Sequence, residues 1–240
     1  MQFKFYSKLY SFKPKPFPLI AFLCALSMLI SLSAWQFKRL KWKNELIAQR
    51  VTSYELETKR LKDISLSKEN EFRKIIVEGE LLNEYEMFMP ALSRNGNNGF
   101  HILVPIRTID GKLIIYDSGW VPLKKKEKNK RSENLIRGVN KFEAVIRTSG
   151  RKGYFQPDND PKSNTWFFVE PEKHSEYTGL ELQNNYYLEA LNNGPNGLPI
   201  GNQTRIYLRN NHLQYALTWL MIGVGLISVF VAANVKEAKK

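Results

Sequence analysis

Three side chains near the C-terminal end of the sequence could act together on one ligand: His212, Tyr215 and Trp219, spaced i, i+3 and i+7. On a helix that spacing sets an imidazole, a phenol and an indole on one face. They belong to Asn210-Asn211-His212-Leu213-Gln214-Tyr215-Ala216-Leu217-Thr218-Trp219, which leads into a run with no charge between Arg209 and Lys236. About 20 apolar residues at ~1.5 Å rise cross a hydrocarbon core, so 210–235 reads as a transmembrane helix, with Asn210 or Asn211 as N-cap. His212 then lies in the first turn, at headgroup level. Two chemistries fit. Tyr and Trp anchor helices at membrane surfaces, the commoner use of such residues, and a histidine there can bond to water. A neutral imidazole is also an iron ligand, and flanking rings could cover a flat macrocycle. The residues alone leave both readings open.

Other chemistry is sparse. The sequence has no Gly-x-Ser-x-Gly, His-Glu-x-x-His, Cys-x-x-Cys or phosphate-binding glycine loop. Cys24 is the single cysteine, which excludes a disulfide framework or a cysteine-built metal site within one chain. His101 and His174 are expected in a strand and a loop; with three histidines in all, a multi-histidine metal site would need every one to converge. Asp158-Asn159-Asp160 lacks the glycine and distal glutamate of a calcium loop and reads as turn chemistry. The net charge of +13 and pI near 9.7 suit a nucleic-acid binder in principle. The two apolar runs redirect that charge toward anionic lipid and acidic protein partners, with no nucleic acid.

The elements that must position these residues follow from the rest of the chain. Residues 1–17 form a basic tail rich in aromatics, without arginine, which argues against an arginine-rich transit peptide. Residues 18–37 are uncharged and form the first transmembrane candidate. A signal peptide competes, with cleavage near Ser31-Leu32-Ser33-Ala34. Cys24, Ser27, Met28, Ser31 and Trp35 share one face of this helix, and Met221, Gly225, Ser228 and Ala232 one face of the second. Small residues favour close approach, so these faces are expected to meet. Basic tails at both ends place both termini on the cytoplasmic side, against the opposing Lys38, Arg39, Lys41 and Lys43. Residues 236–240 are then a cytoplasmic tail.

Between the spans, 38–209 reads as a mainly antiparallel β domain with an N-terminal helix over 37–66. Strands are expected at 74–81, at 85–91 paired with it, at 100–108 and at 112–118, ending at Gly119-Trp120-Val121-Pro122. Further strands are expected at 141–148, 166–169, 185–191 and 205–209. Turns fall at Arg94-Asn95-Gly96-Asn97-Asn98-Gly99 and Asp110-Gly111. The basic run 124–131 reads as a solvated loop, with a docking surface as the alternative. The fold class is therefore a membrane protein, with two transmembrane α-helices flanking a mainly antiparallel β (α+β) extramembrane domain.

Four stretches, in order, resemble the Surfeit locus protein 1 family of cytochrome c oxidase assembly factors. They are Trp35-Gln36-Phe37-Lys38-Arg39-Leu40-x-Trp42-Lys43; Gly99-Phe100-His101-x-Leu103-x-Pro105 with Gly119-Trp120-Val121-Pro122; Pro157-x-Asn159-Asp160 with Trp166; and the stretch 210–219, the most specific. Asp117-Ser118 departs from the family's usual Asn-Arg. The resemblance implies a non-enzymatic chaperone of respiratory chain complex IV in a bacterial cell inner membrane, multi-pass, with its central domain periplasmic. It implies that cytochrome c oxidase subunit I and haem a synthesis proteins are partners besides the lipid bilayer, and it leaves a homo-oligomer open. It implies haem a as cofactor, with His212 on the haem iron. Tyr215 and Trp219 are then expected against the ring, and Arg209 and Arg39 near its propionates from charge alone. A scaffold that stabilises an oxidase intermediate without haem is the alternative, and a generic membrane-anchored binding domain a third reading.

Overall fold

The computed structural model describes residues 2–5, 8–93, 95–150 and 152–237. They fall into two compact units: residues 1–48 with 208–240, and residues 49–207.

The first unit is a helix pair and a small sheet. Strands β1 (Gln2–Phe5) and β2 (Lys8–Phe12) form an antiparallel hairpin, and β10 (Val235–Glu237) pairs antiparallel with β2. Helix α1 runs unbroken from Pro16 to Glu55. Pro16 and Pro18 sit in its first turn, where their missing N–H groups have no helical partner to lose. Helix α3 is His212–Asn234. Both helices are long and apolar enough to cross a membrane.

Their contacts are antiparallel and regular. Phe22 stacks on Phe230 with ring centroids 4.0 Å apart, Leu26 approaches Gly223, and Ser33 Oγ donates to Ala216 O at 3.1 Å. Up to residue 40 the covered positions of α1 are 19, 22, 26, 29, 32, 33, 36 and 40, and those of α3 are 212, 216, 219, 223, 226, 230 and 234. Steps of three and four keep one face of each helix against the other. The small-residue faces expected to meet do not: Met28 and Met221 are 65% and 69% exposed, and a Cβ on Gly225 would touch nothing. In a segment apolar all round, hydrophobicity does not mark the packed face. Ring stacking and two buried polar side chains, Ser33 and Gln36, do.

The second unit is a β barrel. Strands β4 (Lys74–Leu81), β8 (Val139–Thr148), β9 (Tyr186–Ala190), β7 (Leu113–Pro122) and β6 (Asn98–Thr108) pair in that order, and β6 returns to β4. The ring is antiparallel except at β7–β9, and a short parallel β3 (Lys59–Arg60) joins β4 outside it. Closure needs Gly79: a Cβ there would lie 2.4 Å from Arg107 O. Alternate residues fill the interior, among them Ile75, Val77, Ile102, Val104, Ile106 and Ile146. A second core lies outside the barrel wall. There Trp166, fully buried, packs with Met87, Leu103 and Ile115 beneath α2 (Pro171–Thr178).

Several expectations change. Strand β5 (Met87–Leu92) pairs with β6 and not with β4. The helix expected to reach 66 stops at Glu55, because the chain must turn to bring Leu61 into the core. Strand β7 bends at Gly119, φ +113°, and ends at Pro122, so the paired stretch runs past 118 through the whole Gly119-Trp120-Val121-Pro122 motif. Residues 166–169 and 205–209 are not strands, and His174 is in a helix, α2. The 95–97 turn is present with Gly96 at φ +81°; its first residue, Arg94, lies outside the described residues. In the basic run, Arg131 is 1% exposed and pairs with Glu86 at 2.5 Å.

Candidate functional site

His212 opens α3. Asn210 Oδ1 accepts from His212 N at 3.4 Å, while Asn211 at the cap turns its side-chain oxygen to Arg209, 3.0 Å from Nε and 2.9 Å from Nη2. The imidazole is half-buried, and its Nδ1 lies 2.7 Å from Gln36 Oε1 of α1. Gln36 is 8% exposed, so this is a polar contact inside the helix seam. An amide oxygen only accepts, so Nδ1 carries the proton. Nε2, the other ring nitrogen, has no hydrogen bond among the described residues. A histidine held by one nitrogen and open at the other is oriented as metal-ligating histidines are.

Trp219 is half-buried two turns along the same face, and its Nε1 is a buried donor with no partner among the described residues. Tyr215 stands at the edge, 53% exposed. Arg39 is one turn beyond Gln36, exposed, with its guanidinium 4.2 Å from the Trp42 ring centroid. No hydrogen bond or ion pair among the described residues joins Arg39 or Arg209 to His212. The structure thus unites His212 and Trp219 on the α3 seam, sets Tyr215 beside them, and leaves both arginines exposed with other partners. Sequence reading missed Gln36 and Ser33, although each is a polar residue in an apolar run, which is itself a signal.

The remaining motifs build the barrel unit. Gly99 and Trp120 interlock: a Cβ on Gly99 would lie 2.5 Å from the indole, which is 6% exposed and donates to Ala91 O at 3.2 Å. Gly119 lies against Ile200, and Trp120 exchanges backbone hydrogen bonds with Ile200 at 2.9 and 2.8 Å. Asp117, 3% exposed, accepts from His101 Nδ1 at 2.7 Å and from Gly119 N at 2.9 Å. Burial opposes a proton on His101, but the Asp117 carboxylate outweighs it and holds the imidazole above its usual range. Asn159 accepts from Phe167 N at 2.7 Å and Phe168 N at 3.3 Å and donates to Glu170 Oε2 at 3.1 Å. Asp160 accepts from Lys162 N and Ser163 Oγ, so this segment is turn chemistry. His174 packs on Trp166 at 3.8 Å; burial drives its pKa down to about 4. His101 and His174 thus each have a structural partner of their own.

Comparison with known proteins gives one family. The SURF1 family model matches residues 23–224, which include every motif described above. The chain is 28% identical over 219 residues to a SURF1-like protein of Monosiga brevicollis, covering 83% of this chain and 81% of the relative. It is 30% identical to human Surfeit locus protein 1 over 206 residues, 78% of this chain and 68% of that one. A SURF1-like protein of Rickettsia conorii matches at 26% over 215 residues, 85% of this chain and 86% of the relative. Matched from the first apolar helix to the last, with Gln36 and His212 inside the matched span, this chain belongs to the SURF1 family.

Proposed function

We propose that this protein is a membrane-bound assembly factor for a haem–copper cytochrome c oxidase, and that it holds haem a for subunit I through His212. The observation that carries the reading is the His212–Gln36 pair: a polar contact in an apolar helix seam that fixes the imidazole and leaves Nε2 without a hydrogen bond among the described residues. The exposed apolar surfaces of α1 and α3, with Ile20 and Val229 61% and 68% exposed, suit lipid and not water. Both basic tails favour the cytoplasm, which puts the barrel in the periplasm of a bacterial inner membrane.

The donor set fits the group. Haem a, when bound, would supply an iron that accepts an imidazole nitrogen. His212 Nε2 would hold it, with Gln36 fixing the ring through Nδ1. The unpartnered Trp219 Nε1 would offer a hydrogen-bond donor, Tyr215 would add apolar cover, and Arg39 and Arg209 would supply positive charge for its carboxylates. The test is to purify the full chain after co-expression with haem a synthesis and record its absorption spectrum. A Soret band at stoichiometric intensity supports the holding role. Haem-free protein that still captures an oxidase intermediate would mean a scaffold instead.

A further inference from the structure

A cleft of about 640 Å³ lies in the second unit, lined by the end of β5, by His101 and by the segment 202–207. Small-molecule sites fall at roughly 300–1,000 Å³. His101 is held there by one nitrogen. Its Nδ1 sits on Asp117 Oδ2 at 2.7 Å, and its Nε2 has no hydrogen bond among the described residues. The imidazole is 14% exposed and Nε2 keeps accessible surface, unlike the buried, unpartnered Nε2 of His174. The unused nitrogen therefore belongs to the part of the ring that the cleft can reach.

The charge of the cleft follows from every group around it. Among the described lining residues the ionisable ones are His101, Arg205, Tyr54 and Tyr207, with no carboxylate. Arg205 is exposed, and its guanidinium has no partner among the described residues. Two acids stand behind the lining, and both are engaged. Asp117 takes His101 and, through Oδ1, Gly119 N at 2.9 Å; Glu189 takes Arg147 at 2.7 Å, Tyr187 at 2.9 Å and the Thr204 hydroxyl. Glu71 accepts from Thr148 at 2.7 Å and faces Arg147. On β5, Met89 and Ala91 bring no charge to His101. Farther out are two more cations: Arg50 Nη1 donates to Arg205 O at 3.3 Å, and Lys74 Nζ is 5.1 Å from the Tyr54 ring centroid. Asp117 balances a protonated His101, so the charge left over in the lining is that of Arg205, which a monoanion balances. Exposed Leu92 and the rings of Tyr54 and Tyr207 suit an apolar body. A carboxylate is the partner that the other ring nitrogen already takes. We propose that this cleft binds a small organic carboxylate on an apolar body, the carboxylate accepting from His101 Nε2–H and the Arg205 guanidinium supplying a second positive charge. Burial disfavours the proton this needs, and Asp117 with Glu189 more than restores it. The site uses none of the residues assigned to haem and stands independently of that reading.

The test follows the full chain in nonionic detergent by NMR, with histidine labelled at ring Cε1. The chain has three histidines, so the His101 signal is assigned by its loss in His101→Gln. The probes are phenylpropionate, phenylpropionamide and dihexanoylphosphatidylglycerol. Phenylpropionate shifts the His101 signal saturably, and the neutral amide binds at least about ten-fold more weakly, as loss of a charge-assisted hydrogen bond requires. Affinity falls as pH rises through the folded pKa of His101, and by linkage the carboxylate raises that pKa, which a purely structural His101–Asp117 pair would not show. Arg205→Glu weakens phenylpropionate at least about ten-fold with an unchanged near-UV circular dichroism spectrum. In His101→Gln the pH dependence of binding, read on the aromatic signals of the probe, disappears; if that variant does not fold, Arg205→Glu decides. Absence of a saturable shift, equal binding of acid and amide, affinity indifferent to pH, or full affinity in Arg205→Glu would overturn the proposal. So would tighter binding of phosphatidylglycerol than of phenylpropionate, which would make the cleft a lipid headgroup site.

Discussion

Arg131 and Glu86 allow a sharp test of the barrel's energetics. Their side chains are 1% and 5% exposed, so solvent screens the pair little. Arg131 also donates to Lys125 O at 3.1 Å and Lys126 O at 3.4 Å, tying the basic run to the barrel end. Arg131→Met keeps much of the volume but strands a buried carboxylate and frees two carbonyls. Breaking a buried pair from one side costs about 3–5 kcal/mol. At ~2–4 °C per kcal/mol for a unit of this size, thermal unfolding of the barrel falls by about 6–20 °C. The pH dependence has a definite sign. Burial raises the Glu86 pKa in the fold, with Arg131 opposing that rise. Removing Arg131 raises it further. A carboxyl with a folded pKa above its unfolded value favours folding when protonated, so Arg131→Met regains stability as pH falls through that folded pKa. The double variant Glu86→Leu with Arg131→Met recovers most of the loss, since no charge is then stranded. The assay is near-UV circular dichroism on the full chain in detergent, at pH 7 and pH 5. A loss below about 1 kcal/mol in Arg131→Met, within the range of an exposed pair, would show that Arg131 and Glu86 are not a desolvated pair.

Three further outcomes follow from particular contacts. Trp120→Ala empties a buried site and removes the bond to Ala91, and should cost about 3–5 kcal/mol with lower abundance, read by denaturant unfolding. His101 has a folded pKa above its unfolded value, so its contribution is complete below ~6.5 and fades as pH rises through the folded pKa. Asp117→Asn should flatten that stretch of the stability–pH curve, and an unchanged curve would show that His101 does not titrate against Asp117. For topology, alkaline phosphatase fused at Asn129 should be active and the same enzyme fused after Glu237 silent; the reverse pattern would invert the membrane orientation.

The barrel was legible where the chain alternates. Strand β4 coincides with 74–81 because Ile75, Val77 and Leu81 point inward in alternation with Lys74, Ile76, Glu78 and Glu80. The parallel β7–β9 pairing leaves no local mark, since the partners lie far apart in sequence. Helix α2 has only 8 residues and little apolar content, so its role as a lid over Trp166 emerges from packing alone. Arg131 sits in a run that reads as solvated, and only its pairing with Glu86 across 45 residues buries it. At the candidate site, His212 and Trp219 stood out by type and spacing. Gln36 lies inside the 35–43 motif, yet its contact with His212 appears only with the antiparallel register of two helices. Helix geometry places residues on a face but does not say which face meets a neighbour, and that is why the small-residue faces misled.

The proposed haem site depends on one nitrogen, His212 Nε2. His212→Ala leaves the apolar run of α3 intact, so the helix should insert and the protein accumulate as the parent does. The measurement is the absorption spectrum of this variant, purified in parental amounts after co-expression with haem a synthesis. The Soret band should be lost or displaced, and His212→Met, which keeps a weaker iron ligand, should shift it without abolishing it. Full haem a content with an unchanged spectrum in His212→Ala would contradict ligation by His212.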